Sequence, residues 1–83
     1  MTQVVVPVRV ESLEEGGYLA ICDVIQGCHA EGDTLREALE ELEAVAKALL
    51  EVRKEDGLPL PPELVQFRPD TVIKAELVVS VPE

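Results

Sequence analysis

From residue 3 to residue 10 the chain alternates. Val4, Val6, Val8 and Val10 fall on one side, with Val5, Pro7 and Arg9 on the other. Period two with β-branched residues predicts a half-buried strand. Pro7 lacks an N–H, so it belongs at an edge, a strand start or a bulge. Glu14 to Gly17 reads as a turn, and Gly16-Gly17 is the strongest hairpin signal in the chain. Tyr18 to Val24 predicts a second strand, with Leu19 and Ile21 opposing Tyr18, Ala20 and Cys22. Gln26-Gly27 turns the chain again, and Cys28 to Glu31 completes an antiparallel meander.

The period then changes from two to helical. Thr34-Leu35-Arg36-Glu37 fits a capping box: the Thr hydroxyl accepts the N–H of Glu37, and the Glu carboxylate reaches back to the Thr N–H. Leu35, Ala38, Leu39, Leu42, Val45, Ala46 and Leu49 form one apolar stripe. Glu37, Glu40, Glu41, Glu43, Glu51 and Glu55 lie mostly outside it, and Glu43–Lys47 makes a favourable i,i+4 pair. Gly57 is a natural residue just past the helix end, and Pro59 prevents resumption.

Pro59, Pro61, Pro62 and Pro69 punctuate the next stretch. Pro62-Glu63-Leu64-Val65 reads as one helical turn or as an ordered connection pinned by Leu60, Leu64 and Phe67. Residues 72–81 alternate again, with Ile73, Ala75, Leu77, Val79 and Val81 opposing Val72, Lys74, Glu76, Val78 and Ser80. The pattern predicts a final strand ending at Pro82. The order β-β-β-α-β implies an α/β (α+β) two-layer sandwich, one long helix covering one face of the sheet. A right-handed crossover would place the last strand parallel to a meander strand.

At 83 residues the chain is sized for a single domain, expected to span 1–83. Aromatics are only 2% of a chain that is 47% apolar, so the core must be built from Val, Leu, Ile and Ala. The net charge of -10, from 17 acids and 7 bases, is the wrong balance for a protein that tracks a phosphate backbone or an anionic membrane. It suits a basic partner. No secretory leader pattern or membrane-length apolar run is visible, and two cysteines do not make a disulfide framework. A cytoplasmic location is the resulting expectation.

The run Gly17-Tyr18-Leu19-Ala20-Ile21-Cys22, followed by Gly27-Cys28-His29-Ala30-Glu31-Gly32-Asp33-Thr34-Leu35-Arg36-Glu37-Ala38, resembles the signature of the HicB-like antitoxin family. Leu58-Pro59-Leu60-Pro61-Pro62 resembles the proline segment that follows the family's helix. The likeness covers roughly residues 4 to 62. Read physically, these residues specify structure. Gly27 and Gly32 permit tight or positive-φ backbone at the ends of the third strand. Asp33, Thr34 and Glu37 satisfy the orphan amides of the helix start.

The resemblance implies a partial RNase H-like fold without an RNase active site. It further implies a module that neutralises a small basic HicA-type RNA-cleaving toxin by covering its RNA-binding or catalytic surface. Family members commonly add a helix-turn-helix or ribbon-helix-helix domain that binds DNA. The sequence ends about one strand after the proline segment, so no separate DNA-binding domain is expected. Asp23, Val24 and Gln26 also stand where relatives often carry prolines and an acid.

Candidate chemistry is sparse. Metal-dependent hydrolysis needs converging carboxylates, and Asp23 with Glu37 or Glu40 is the only conceivable start. His29 and Cys28 are adjacent on a strand and point to opposite faces. Cys22, Cys28 and His29 lack the paired short spacing of a zinc site. No catalytic residue, metal or cofactor is therefore expected. Glu31, Asp33, Glu40 and Glu41 are the candidate surface for a basic protein partner. A homo-oligomer is expected as well, because a small sheet leaves edges open. The alternative function is a stand-alone adaptor or structural homo-oligomer whose partner is not a toxin.

Overall fold

A computed structural model describes residues 2–82. The element order is β1 (Val4–Val5), β2 (Arg9–Ser12), β3 (Tyr18–Ile21), β4 (His29–Gly32), α1 (Leu35–Glu55) and β5 (Val65–Gln66). β2, β3 and β4 form an antiparallel sheet in that order, and β1 and β5 form a second antiparallel pair. α1 lies across β4 and β3 and hardly reaches β2. The expected α+β sandwich, with a meander and one long helix on one face, is present.

Register follows the side-chain pattern. Val10, Ala20 and Ala30 form one row across the sheet, and the two alanines of that row are buried under α1. The flanking rows, Arg9–Ile21–His29 and Glu11–Leu19–Glu31, therefore occupy the opposite face. Between β2 and β3 the hairpin closes with Leu13 N–H donating to Gly17 O at 3.0 Å and Gly16 N–H to Leu13 O at 3.0 Å. Gly16 and Gly17 sit at φ 98° and 87°, a conformation that side chains strain to adopt.

The core is built from small side chains. Ala20, Cys22, Cys28 and Ala30 come from the sheet hairpin, Ile25 from its loop, and Ala38, Leu42 and Ala46 from α1. Alanine on both layers lets the helix settle close to the strands. Gly32 takes this furthest. Its φ is not positive, so its role is close approach: a Cβ there would lie 2.3 Å from Ala38 N and 2.8 Å from Glu37 C.

α1 is capped at both ends. Glu37 N–H donates to Thr34 Oγ1 at 3.1 Å, as the capping box requires. The Glu37 carboxylate, however, accepts from the Asp33 N–H at 3.1 Å, one residue before the expected Thr34 donor. At the other end Leu58 N–H reaches Arg53 O at 2.9 Å and Gly57 N–H reaches Lys54 O at 3.0 Å, a Schellman pair. The apolar stripe holds except at its flank, where Leu39 stays 40% exposed.

Three expectations are corrected. The strand predicted over 3–10 breaks around Pro7 into β1 and β2, which join different sheets. Pro7 has no N–H to continue a ladder. Of the two readings open for Pro62–Val65, the helical turn is corrected and the ordered connection holds: Leu64 N–H closes a single turn on Pro61 O at 3.1 Å, and Val65 and Gln66 then pair with Val5 and Val4. Most importantly, the parallel last strand is absent: residues 72–81 form no strand and join neither sheet. β5 pairs antiparallel with β1 and continues through Phe67 N–H to Gln3 O at 2.8 Å.

Candidate acidic interface

Where the end of β4 meets the start of α1, the chain brings acids together. Leu13, Gly16 and Gly17 of the β2–β3 turn form one wall of an open cleft of ≈ 440 Å³. Glu31, Gly32 and Asp33 form the second wall, and Glu37 and Glu41 on the first turns of α1 form the third. The geometry has a local cause. Gly32 permits the helix start to press against the strand end, so a strand-borne acid and two helix-borne acids border one cleft.

Three of the four acids predicted for a partner surface, Glu31, Asp33 and Glu41, border this cleft, and all three are exposed. Glu40 does not border it. One residue is roughly 100° of rotation on a helix, which turns Glu40 to the side opposite the buried stripe. Glu37 is the addition. Its role in capping was legible, but its place in the cleft was not, because that depends on the β2–β3 turn lying alongside. A single side chain thus both caps the helix and contributes negative charge to the cleft.

The carboxylates considered for hydrolysis are separated. Glu37 borders the cleft beyond the Tyr18 end of β3, and Asp23 lies beyond the Ile21 end. Asp23 is instead held by Arg9, whose Nε donates to Oδ2 at 2.8 Å and Nη2 to Oδ1 at 3.3 Å. The hydrogen bonds from Arg9 hold the Asp23 carboxyl below the ordinary aspartate range. Arg9 also pairs with Glu11 across one strand face. Among the described residues, no group of three or more His, Cys, Asp or Glu side chains is arranged to hold a metal ion.

The cysteines and histidine fall as alternation dictates. Cys22 and Cys28 are buried free thiols, opposed across the hairpin with Cys22 N–H donating to Cys28 O at 2.9 Å. His29 is exposed on the other face. Burial, followed by the neighbouring Cys22 sulfur, pushes the Cys28 thiol up.

Fold and cleft together define a small α+β domain with an acidic end where strand, turn and helix converge. Comparison with known proteins gives the class a family. The chain is 43% identical over 53 residues to UPF0150 protein ssl0738 of Synechocystis sp., covering 60% of this chain and 74% of that protein. It is 30% identical over 66 residues to UPF0150 protein ssr1765 of the same organism, covering 80% and 84% of the two chains. To UPF0150 protein ssl0259 it is 38% identical over 55 residues, covering 66% and 75%. The chain belongs to the UPF0150 family. No family model matches it, and no solved structure matches it. Among the described residues, no helix is long and apolar enough to cross a membrane.

Proposed function

We propose that this chain is a HicB-type, antitoxin-like binding module that neutralises a small basic RNA-cleaving toxin of the HicA type by covering its RNA-binding or catalytic surface. The observation that carries the reading is the convergence of Glu31, Asp33, Glu37 and Glu41 on one cleft in a chain of net charge -10. A protein that grips RNA must present a cationic surface. An acidic cleft on a rigid strand–helix junction is complementary to such a surface and steers its approach. The module works by binding and needs no cofactor.

The test uses the tagged protein as bait in lysate of its native host. A small basic protein, retained at low salt, eluted at high salt and toxic when expressed alone, is the expected result. The double variant Glu31→Lys/Glu41→Lys should lose that protein, whereas Glu40→Lys, outside the cleft, should retain it. Equal capture by both variants would sink the acidic-cleft reading. Recovery of the bait alone would favour the second reading, a structural homo-oligomer, which draws its support from the exposed apolar segment at residues 72–81.

A further inference from the structure

Residues 72–81 are out of place for a soluble domain. Val72, Leu77 and Val78 are 82%, 87% and 83% exposed, and Ile73, Val79 and Val81 are also largely exposed. The segment has strand alternation and β-branched composition, yet it pairs with nothing among the described residues. It also stretches the molecule. The radius of gyration is 14.5 Å, against about 12 Å for a compact chain of this length. The turn at Arg68–Thr71 is closed by Thr71 N–H to Arg68 O at 3.0 Å and by Arg68 N–H to Thr71 Oγ1 at 2.8 Å. It launches the segment outward as an arm.

A matching acceptor lies on the same chain. β2 is an edge strand of its sheet, and α1 hardly covers it. Val10 shares the face of Ala20 by register, and Val8 does so by alternation, but they remain 36% and 41% exposed. Beside Val8 an open groove of ≈ 290 Å³ is lined by Pro7, Val8, Arg9, Asp23 and Val24. An uncovered, partly apolar edge is a template for another strand.

We infer that residues 73–77 of the arm of one copy add as an antiparallel strand to the β2 edge of a second copy, reciprocally, giving a two-fold strand-exchanged homodimer. Charge fixes both direction and register. Arg9 and Glu11 alternate on β2 as Lys74 and Glu76 alternate on the arm. Antiparallel pairing sets Arg9 opposite Glu76 and Glu11 opposite Lys74, whereas the parallel arrangement sets like charges together, which is destabilising. The same register sets Leu77 opposite Val8, at the apolar groove, Ala75 opposite Val10, and Ile73 opposite Ser12. It stops short of Pro7, which has no N–H to offer.

The occupant is a second copy because the arm pairs with neither sheet of its own chain and its apolar side chains stay exposed there. A reciprocal contact is self-complementary, as a two-fold dimer requires. This inference is independent of the toxin-binding reading, since the arm and β2 are not part of the acidic cleft.

The test is the mass of the full chain in solution by light scattering and sedimentation equilibrium at micromolar concentration. A particle of twice the 9.1 kDa chain mass is expected. Ile73→Asp/Leu77→Asp should give a monomer with unchanged helix signal, since both side chains are largely exposed on their own domain. Glu11→Lys and Lys74→Glu should each weaken the dimer at least several-fold, and the double exchange should restore it. A monomeric wild type, or a dimer that survives Ile73→Asp/Leu77→Asp, would overturn the proposal. A dimer broken by the arm variant but indifferent to Glu11→Lys would overturn the β2 edge as acceptor.

Discussion

Replacing Gly32 with alanine adds one methyl group at the tightest point of the molecule. Elsewhere the change stabilises a chain by about 0.4–1 kcal/mol, where the native backbone is open to alanine, by restricting the unfolded state. The φ of Gly32 is not positive, so the backbone itself allows alanine. The surroundings do not. The new Cβ would lie 2.3 Å from Ala38 N, whereas ordinary contacts begin at 3.4 Å. Its nearest neighbours are backbone N and C atoms and the Cβ of Glu37, none of which can swing away. α1 must lift from β4, and the alanines that let it sit close have no longer side chains with which to fill the gap.

Overpacking of this kind costs about 1–3 kcal/mol, occasionally more. After the unfolded-state gain, a net loss of about 1–2 kcal/mol is expected, a sizeable share of the roughly 4–12 kcal/mol that a domain of this length holds. Urea unfolding followed by the helix circular dichroism signal, at matched protein concentration, measures it. Gly27→Ala is the control. That site has open space around its Cβ position but φ +77, so its loss of about 1–2 kcal/mol comes from backbone strain alone. A Gly32→Ala midpoint equal to or above wild type would refute the close-approach argument.

Three further outcomes follow from the same geometry. Thr34→Ala removes the acceptor for the Glu37 N–H and should lower stability by about 0.5–2 kcal/mol in the same urea assay. Cys22 and Cys28 are buried and the Cys28 thiol is pushed up. Thiol reagents should therefore label both slowly in the native protein and rapidly in urea, and fast native labelling of either would contradict the packing. The Asp23 carboxyl is held down by Arg9, so it stabilises the fold above the unfolded aspartate pKa and loses that contribution as pH falls through its lowered folded value. Carboxyl NMR titration should find Asp23 below the ordinary range and Arg9→Ala should return it upward; an unmoved midpoint would discount the pair.

Local rules made much of this fold readable. Gly16-Gly17 announced the hairpin, alternation sorted Ala20 and Cys22 from Leu19 and Ile21, and Thr34 with Glu37 announced the helix start. Glu31, Asp33 and Glu41 were legible as a surface because their charge and their position around one helix start were visible in the chain. What was not legible depended on distant contacts. Glu40 and Glu41 are equivalent as letters, and only the placement of the β2–β3 turn beside the helix makes one a neighbour of the cleft. Ile25 gave no periodic signal because it sits in a loop, and its burial depends on the hairpin folding back.

The alternating segment at residues 72–81 marks the boundary most clearly. Period two and β-branching are properties of a segment by itself, so the sequence alone determined that this one is suited to a strand. A strand is completed by hydrogen bonds to a neighbour, and which neighbour is available depends on where the preceding chain has gone. The sequence likewise determined the helix, its caps and the apolar faces, all set by interactions within a few residues. Only the tertiary structure decided that Pro7 splits the first strand between two sheets, that β5 takes the place beside β1, and that the last alternating segment is left facing outward. Each is a competition between pairings far apart in the chain, settled by geometry that no local pattern records.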